Sequence, residues 1–300
     1  MKAVILAAGL GTRLRPWTDR VPKALVPILH RPSLLRVADR LRAAGVGTLC
    51  VNTHHLADQV VEALRGQDAV VVHEPEILDS GGGVANFREL LAGEECFLVH
   101  NCDVYSNLDL GLLVEEHRAR GSVATLALVS HPPTDKVLLE AGGRVRAIEP
   151  GPGTRWTYSG VAVLSPEVLA ALPAGVPSSL VDAFRALIRR GAPVLGHLQP
   201  GAWWSDFGDP ASYLALHEAL LAGRAPWPPD GTPPGPWSVE VGALVDPGAR
   251  LEGWGCLSAG ARVGAGATLR NCVVWPGARV APGTFLADRI VADPEGPERP

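Results

Sequence analysis

The sequence predicts an α/β protein. A mixed, mainly parallel sheet covered by helices is followed by a short C-terminal left-handed parallel β-helix. Three observations predict this. Short apolar runs alternate with helix-like stretches through the first hundred residues, the order that gives a parallel sheet. Residues 222–238 contain six prolines and three glycines, which no helix or central strand survives. Beyond them Val245, Leu251, Leu257, Val263 and Leu269 fall six residues apart, the period of a coil that turns aliphatic residues inward on three short faces.

The elements follow in order. Ala3 to Ala8 is a buried strand. Residues 33–44 form an amphipathic helix with Ser33 as N-cap and Gly45 closing it. Thr48 to Asn52 is a second strand, His55 to Arg65 a helix, and Ala69 to His73 a third strand. Gly83 to Leu91 is a helix entered through three glycines, and Cys96 to His100 a fourth strand. Residues 122–130 and 160–164 read as strands, 179–190 and 210–221 as helices. In the repeat, Gly248, Gly260 and Gly266 keep the same period, and the phase then shifts by one residue to Val274, Gly277, Val280 and Gly283. The expected domains are 1–221, the linker 222–238, the β-helix 239–285 and a flexible tail 286–300.

Composition narrows the function. The 300 residues have a net charge of −4 and are 47% hydrophobic and 19% charged, values of a globular chain long enough for a sizeable core. The acidic balance argues against a nucleic-acid partner. No apolar run reaches the ~20 residues of a membrane span, so no membrane partner is expected. Five scattered cysteines, with no C-x-x-C, suggest neither zinc nor a disulfide framework. The first apolar run reads as a core strand rather than an export signal. A cytoplasmic, reduced protein is expected.

The chemistry concentrates after the first strand. Gly9 to Lys23 reads Gly-Leu-Gly-Thr-Arg-Leu-Arg-Pro-Trp-Thr-Asp-Arg-Val-Pro-Lys. Glycines at 9 and 11 permit a left-handed backbone and close approach to an anion. Arg13, Arg15, Arg20 and Lys23 stand against one acid, Asp19, so local charge opposes the global charge and points to an anionic ligand. Leu14 occupies the third-glycine position of a dinucleotide fingerprint, and no Gly-Lys-Ser/Thr of a Walker loop follows. His100-Asn101-Cys102-Asp103 follows the fourth strand, where ligands collect in such sheets. Asp209-Pro210 opens a helix after Trp204-Ser205-Asp206-Phe207-Gly208.

The string G-x-G-T-R-L-x-P-x-T-x-x-x-P-K, with Asn101-x-Asp103 and the late W-x-D-x-G-D-P element, resembles the signature of the sugar-1-phosphate nucleotidylyltransferases. The resemblance covers residues 1–221, with 239–285 as an appendage, and implies a Rossmann-like, GT-A-like catalytic domain. It implies in-line attack of a sugar 1-phosphate on the α-phosphorus of a nucleoside triphosphate. Arg13, Lys23, Asp103 and Asp206 would be catalytic, and Asp103 and Asp206 would hold Mg2+. Ala8, Gly9, Gly11, Thr12, Arg13, Lys23, Ser80, Gly81 and Gly82 would bind the nucleotide. Asn101, Glu149, Ser159 and Gly160 would bind the sugar. Many relatives have Glu-Lys-Pro where Pro150 follows Glu149 directly; Lys136 and Arg155 are the cations that could replace that lysine. The glycine loop and Asn101-x-Asp103 resemble N-acetylmuramate-1-phosphate uridylyltransferases, while the β-helix resembles the tail of mannose-1-phosphate guanylyltransferases. Uridylyl or guanylyl transfer to mannose, glucose or an N-acetylated amino sugar is expected. A non-catalytic nucleotide-sugar-binding homologue would lose one of the four catalytic residues, and all four are present. A hexapeptide acyltransferase would need a base, and no histidine lies between 239 and 300. The coil is expected to serve assembly, giving a homo-oligomer.

Overall fold

In a computed structural model of the chain, residues 1–132, 134–229 and 235–292 are described. They divide into two units. One comprises Met1–Leu10, Val21–Leu25 and Leu34–Trp204; the other comprises Gly11–Arg20, Val26–Ser33 and the chain from Ser205.

The first unit is built on a seven-stranded sheet. Its strands are β1 (Lys2–Leu6), β2 (Thr48–Thr53), β3 (Ala69–His73), β4 (Phe97–Asn101), β5 (Ala124–Val129), β6 (Thr157–Leu164) and β7 (Val194–Leu198), in the order β7-β5-β6-β4-β1-β2-β3. All neighbours are parallel except β6, which runs antiparallel to both β4 and β5. Alternate residues of one strand feed two cores. Ala3 and Ile5 pack with Leu34, Val37 and Leu41 of helix α1 (Ser33–Ala43). Val4 packs with Val84 and Phe87 on the opposite face. Burial on both faces explains why the strands read as continuous apolar runs rather than alternating ones.

From β1 the chain steps to β2 and β3 on one side and then returns to place β4 on the other. This reversal puts a crevice beyond the carboxyl ends of β1 and β4, the position where open α/β sheets hold ligands.

The expected elements are found with shifted ends, and three differences are physical. Helix α2 covers only Ala57–Ala63. The three glycines lie inside helix α3 (Asp79–Ala85), not in a loop before it, and a separate turn, α4 (Arg88–Leu91), follows. Close packing demands these glycines: a Cβ on Gly81 would lie 2.7 Å from the Ser178 carbonyl, and one on Gly82 would lie 2.9 Å from that of Val176. Helix α5 (Leu110–Arg120) and strand β7 were not expected from the sequence.

The second unit contains two 3₁₀ turns (Thr12–Leu14 and Trp17–Asp19), a hairpin of Pro27–Ile28 with Arg31–Pro32, helix α7 (Pro210–Leu221) and two parallel ladders; helix α6 (Leu180–Arg189) belongs to the first unit. One ladder joins Trp237–Val239, Arg250–Leu257, Thr268–Val274 and Phe285–Val291; the other joins Leu244–Val245, Arg262–Val263 and Arg279–Val280. Val245 pairs with Val263, and Val263 with Val280. Repeats of eighteen and then seventeen residues are consistent with the predicted coil. The dropped residue is the phase shift visible in the sequence. It falls where the register slips between Glu252 and Gly255, beside left-handed Gly253, Asn271 and Asp288. The Asn271 amide donates to Asp288 at 2.8 Å.

Two expected boundaries need correction. Residues 286–300 are not a flexible tail throughout: Phe285–Val291 is a paired strand with Leu286, Ile290 and Val291 buried. The remainder of that expectation, 293–300, lies outside the described residues, as do 230–234 of the linker. The linker also ends early, because Trp237 and Ser238 already pair with Gly255 and Cys256.

Candidate active site

The crevice at the carboxyl ends of β1 and β4 opens into a cavity of about 210 Å3 lined by Leu6, Ala8, Gly9, Lys23, Asn52, Ile77, Asp79, Ser80, Asn101, Cys102 and Asp103. Six of the residues expected to bind or react therefore line it: Ala8, Gly9, Lys23, Ser80, Asn101 and Asp103. The Cys102 N–H donates to the Leu6 carbonyl at 3.2 Å, which joins the two strand ends at the cavity.

Lys23 Nζ is ion-paired with Asp103 Oδ2. Both side chains are largely withdrawn from solvent, at 12% and 23% exposure. A compact cation and a carboxylate thus face one another at the cavity. Among the described residues no group of three or more His, Cys, Asp or Glu could hold a metal ion. Mg2+ needs no such cage, since it keeps several waters and takes one or two carboxylates with phosphate oxygens. Asp103 fits that description as a donor.

Gly9 is exposed, and a Cβ there would meet nothing within 4 Å. Its backbone is not left-handed; of the two motif glycines only Gly11 is, at φ 64°. Gly9 therefore leaves space beside the cavity instead of supplying a special turn. Ser80 is held by accepting the Leu180 N–H at 3.0 Å. Gly81 and Gly82 sit behind it and outside the lining. Their N–H groups donate to the Ser178 carbonyl at 2.7 and 3.3 Å.

The Asn101 side chain lies against Gly160. At Gly160 (φ 82°) a Cβ would lie 2.6 Å from Asn101 Nδ2, so both the backbone and the close approach require glycine. The register of β6 against β5 slips between Tyr158 and Ala162, around this residue. Ser159 is buried, and its carbonyl accepts from Trp204 Nε1 at 2.9 Å. Glu149 is exposed after the hairpin strand Val145–Ile148. Lys136 and Arg155 are exposed near the Val137–Trp156 bridge.

Gly11, Thr12, Arg13 and Asp206 belong to the second unit. There Arg13 pairs with Asp209 at 3.5 Å, and a Cβ on Gly208 would lie 2.4 Å from Arg13 Nη2. The Ser212 N–H first, and then Arg13, hold the Asp209 carboxyl below its usual range. Asp206 is exposed at the end of the strand Trp204–Asp206.

Sequence reasoning missed the group that shapes the cavity wall. Asn52 Oδ1 accepts the Ala7 N–H at 2.8 Å, and its amide donates to Glu74 at 2.9 Å. Glu74 is 1% exposed and also accepts from Asn86 Nδ2 at 2.9 Å and from Leu78 N at 3.0 Å. A buried carboxylate is tolerable only when satisfied in this way. Gly83 makes room for it, since a Cβ there would lie 2.5 Å from Asn52 Nδ2. The available signal was Asn52 itself, an amide closing an apolar strand at the ligand edge.

Residues 2–223 match the family model for nucleotidyl transferases. The chain is 32% identical to a mannose-1-phosphate guanylyltransferase of Mycobacterium tuberculosis, over 95% of this chain and 82% of that one. It is 35% identical to an N-acetylmuramate alpha-1-phosphate uridylyltransferase of Caulobacter vibrioides, over 73% of this chain and 96% of that one. Among solved structures, HddC of Yersinia pseudotuberculosis in complex with GMP-PN aligns with a TM-score of 0.60 at 24% identity, covering 72% of this chain and 97% of that one. That last likeness speaks for the fold.

Proposed function

Because the chain belongs to the nucleotidyl transferase family, we propose that it transfers a nucleotidyl group from a nucleoside triphosphate to a sugar 1-phosphate, releasing pyrophosphate. The observation that carries this reading is the Lys23–Asp103 pair at the reversal point of the sheet.

The sugar phosphate oxygen attacks the α-phosphorus, and the bond from that phosphorus to the bridging oxygen of the departing pyrophosphate breaks. The attacking phosphomonoester is already a dianion near neutral pH, its second pKa being about 6, so no side chain must remove a proton. The protein's work is positioning and charge compensation. Lys23 acts as a point charge on the α-phosphoryl oxygens. Arg13 compensates the charge that grows on pyrophosphate. Ala8, Gly9, Gly11 and Thr12 carry the triphosphate, and Ser80 borders the nucleoside. Asn101, with Ser159, Gly160 and Glu149, receives the sugar. Asp103 would hold Mg2+, with Asp206 named as its partner ligand by the motif alone. Bound there, Mg2+ would supply positive charge to the phosphate oxygens.

For the substrate, guanylyl transfer to mannose 1-phosphate is the first reading, supported by a match that extends through the C-terminal repeats. Uridylyl transfer to an N-acetylated amino sugar phosphate is the second, supported by 35% identity over 73% of this chain. Four nucleoside triphosphates assayed against a panel of sugar 1-phosphates, with pyrophosphate release as readout, decide between them. Absence of release with every pair, with Mg2+ present, would overturn the reading.

Five buried cysteines, none in a disulfide, support a reducing, cytoplasmic setting. No helix among the described residues is long and apolar enough to cross a membrane. Val239, Val241, Leu244 and Phe285 are exposed on the coil and support assembly through it.

A further inference from the structure

One stripe of helix α7 holds the motif loops. Asp209, Tyr213 and His217 are spaced four residues apart, so they share a helix face. Asp209 caps the helix, accepting the Ser212 N–H at 2.9 Å, and pairs with Arg13. One turn on, the Tyr213 hydroxyl donates to the Pro27 carbonyl. One turn further, His217 Nε2 accepts the Leu29 N–H at 2.9 Å while its Nδ1–H donates to the Tyr213 carbonyl at 2.9 Å. The neutral tautomer follows from those two bonds. Pro27 and Leu29 lie in the hairpin that begins four residues after Lys23, and Leu29 is left-handed at φ 54°.

The coil holds the helix and the hairpin in turn. Trp275 Nε1 donates to the Tyr213 hydroxyl at 3.0 Å, and the two rings meet edge to face. His30, at the hairpin tip, has Nε2 2.7 Å from Ser238 Oγ and Nδ1 3.3 Å from Ser258 Oγ. Tyr213 and His217 are fully buried, and Trp275 is nearly so. The coil thus reaches the motif loops through satisfied, desolvated hydrogen bonds, which are rigid attachments.

We propose that Tyr213 is a positioning residue. Braced by Trp275, it fixes the hairpin after Lys23 and, through α7, the loop of Arg13, so that the coil contributes to turnover as well as to assembly. The reason is geometric: an error of about 1 Å in placing a catalytic group can cost about a hundredfold in rate. This inference rests on the roles proposed above for Arg13 and Lys23.

The test uses the full chain. Tyr213→Phe removes both bonds of the hydroxyl and keeps the ring. We expect kcat to fall about five- to tenfold with KM for the triphosphate changed less than about twofold. Trp275→Phe should fall about two- to threefold, and should add little in the Tyr213→Phe background because it acts through that hydroxyl. The positioning role is overturned if Tyr213→Phe lowers Tm yet retains kcat within twofold well below that Tm, or if the two effects multiply. Should Tyr213→Phe not fold, Trp275→Phe carries the same kcat criterion. If Lys23→Ala and Arg13→Ala retain full activity, the functional reading itself fails; if they lose it while Tyr213→Phe does not, only the positioning role fails.

Discussion

Lys23 is one of three lysines in a chain with 24 arginines, and it faces Asp103 at the cavity. Its pocket receives one compact charge, which a planar guanidinium would aim differently. Lys23→Arg is expected to lose most activity, and Lys23→Ala slightly more, with the defect larger in kcat than in nucleotide affinity. Turnover above about half the wild-type rate in Lys23→Arg would refute this, because general electrostatics would then suffice. Asp103→Asn is expected to lower turnover by orders of magnitude, since charge stabilisation by a metal is worth several kcal/mol. Its stability should also fall, by about 1–3 kcal/mol, because Lys23, largely withdrawn from solvent, loses its charged partner. Near-wild-type kcat at saturating Mg2+ would refute the role. At this scale the motif made Lys23 and Asp103 legible. Glu74 was not legible, because a lone glutamate after a strand carries no sign that Asn52, Leu78 and Asn86 all donate to it.

Among the elements, the turn from β3 into α3 depends on that carboxylate. Oε1 accepts two amide N–H groups and Oε2 accepts a backbone N–H. Glu74→Gln would set an NH2 against at least one donor, so a loss of about 1–3 kcal/mol is expected in urea unfolding. An unchanged midpoint would show that the network relaxes without cost. Helix α5 carries a second buried polar group. His117 lies between the hydroxyls of Thr125 at 3.0 Å and Ser165 at 3.1 Å, and burial first, then Arg118, push its pKa down to about 4. The unfolded chain therefore binds a proton near pH 6.5 that the native state refuses. The contribution of His117 to stability should be full above that pH and fall by about 1.4 kcal/mol per unit as pH drops toward 4; His100, which burial likewise pushes down to about 4, adds a similar slope that remains in a His117 variant. Urea midpoints at pH 7.5 and 5 measure this, and His117→Asn should reduce the slope. Equal slopes in both proteins would assign the pH dependence elsewhere. The strands were legible because burial on both sheet faces writes continuous apolar runs. Helix α3 was misplaced because its glycines signal a loop locally, whereas their reason is the close approach of Ser178, Val176 and Asn52.

Across the whole molecule, the unit that contains the coil also contains Gly11–Arg20 and Val26–Ser33. Removing the coil therefore removes the support of a hairpin over two hundred residues earlier. A chain ended at Pro236 is expected to lose stability and turnover together, and any oligomers seen by light scattering. If it remains the same size, equally stable and fully active, both assembly and support by the coil are wrong. The sequence alone determined the apolar strands, the hexad spacing with its one-residue slip, and the motif residues, because each is written in local periodicity or in adjacent residues. Only the tertiary structure decided which residues brace them. Asn52 with Glu74, Gly160 with Asn101, and α7 with the hairpin are joined by hydrogen bonds and close approaches between residues 22 to 188 positions apart, and sequence spacing holds no record of which buried donor will find which acceptor.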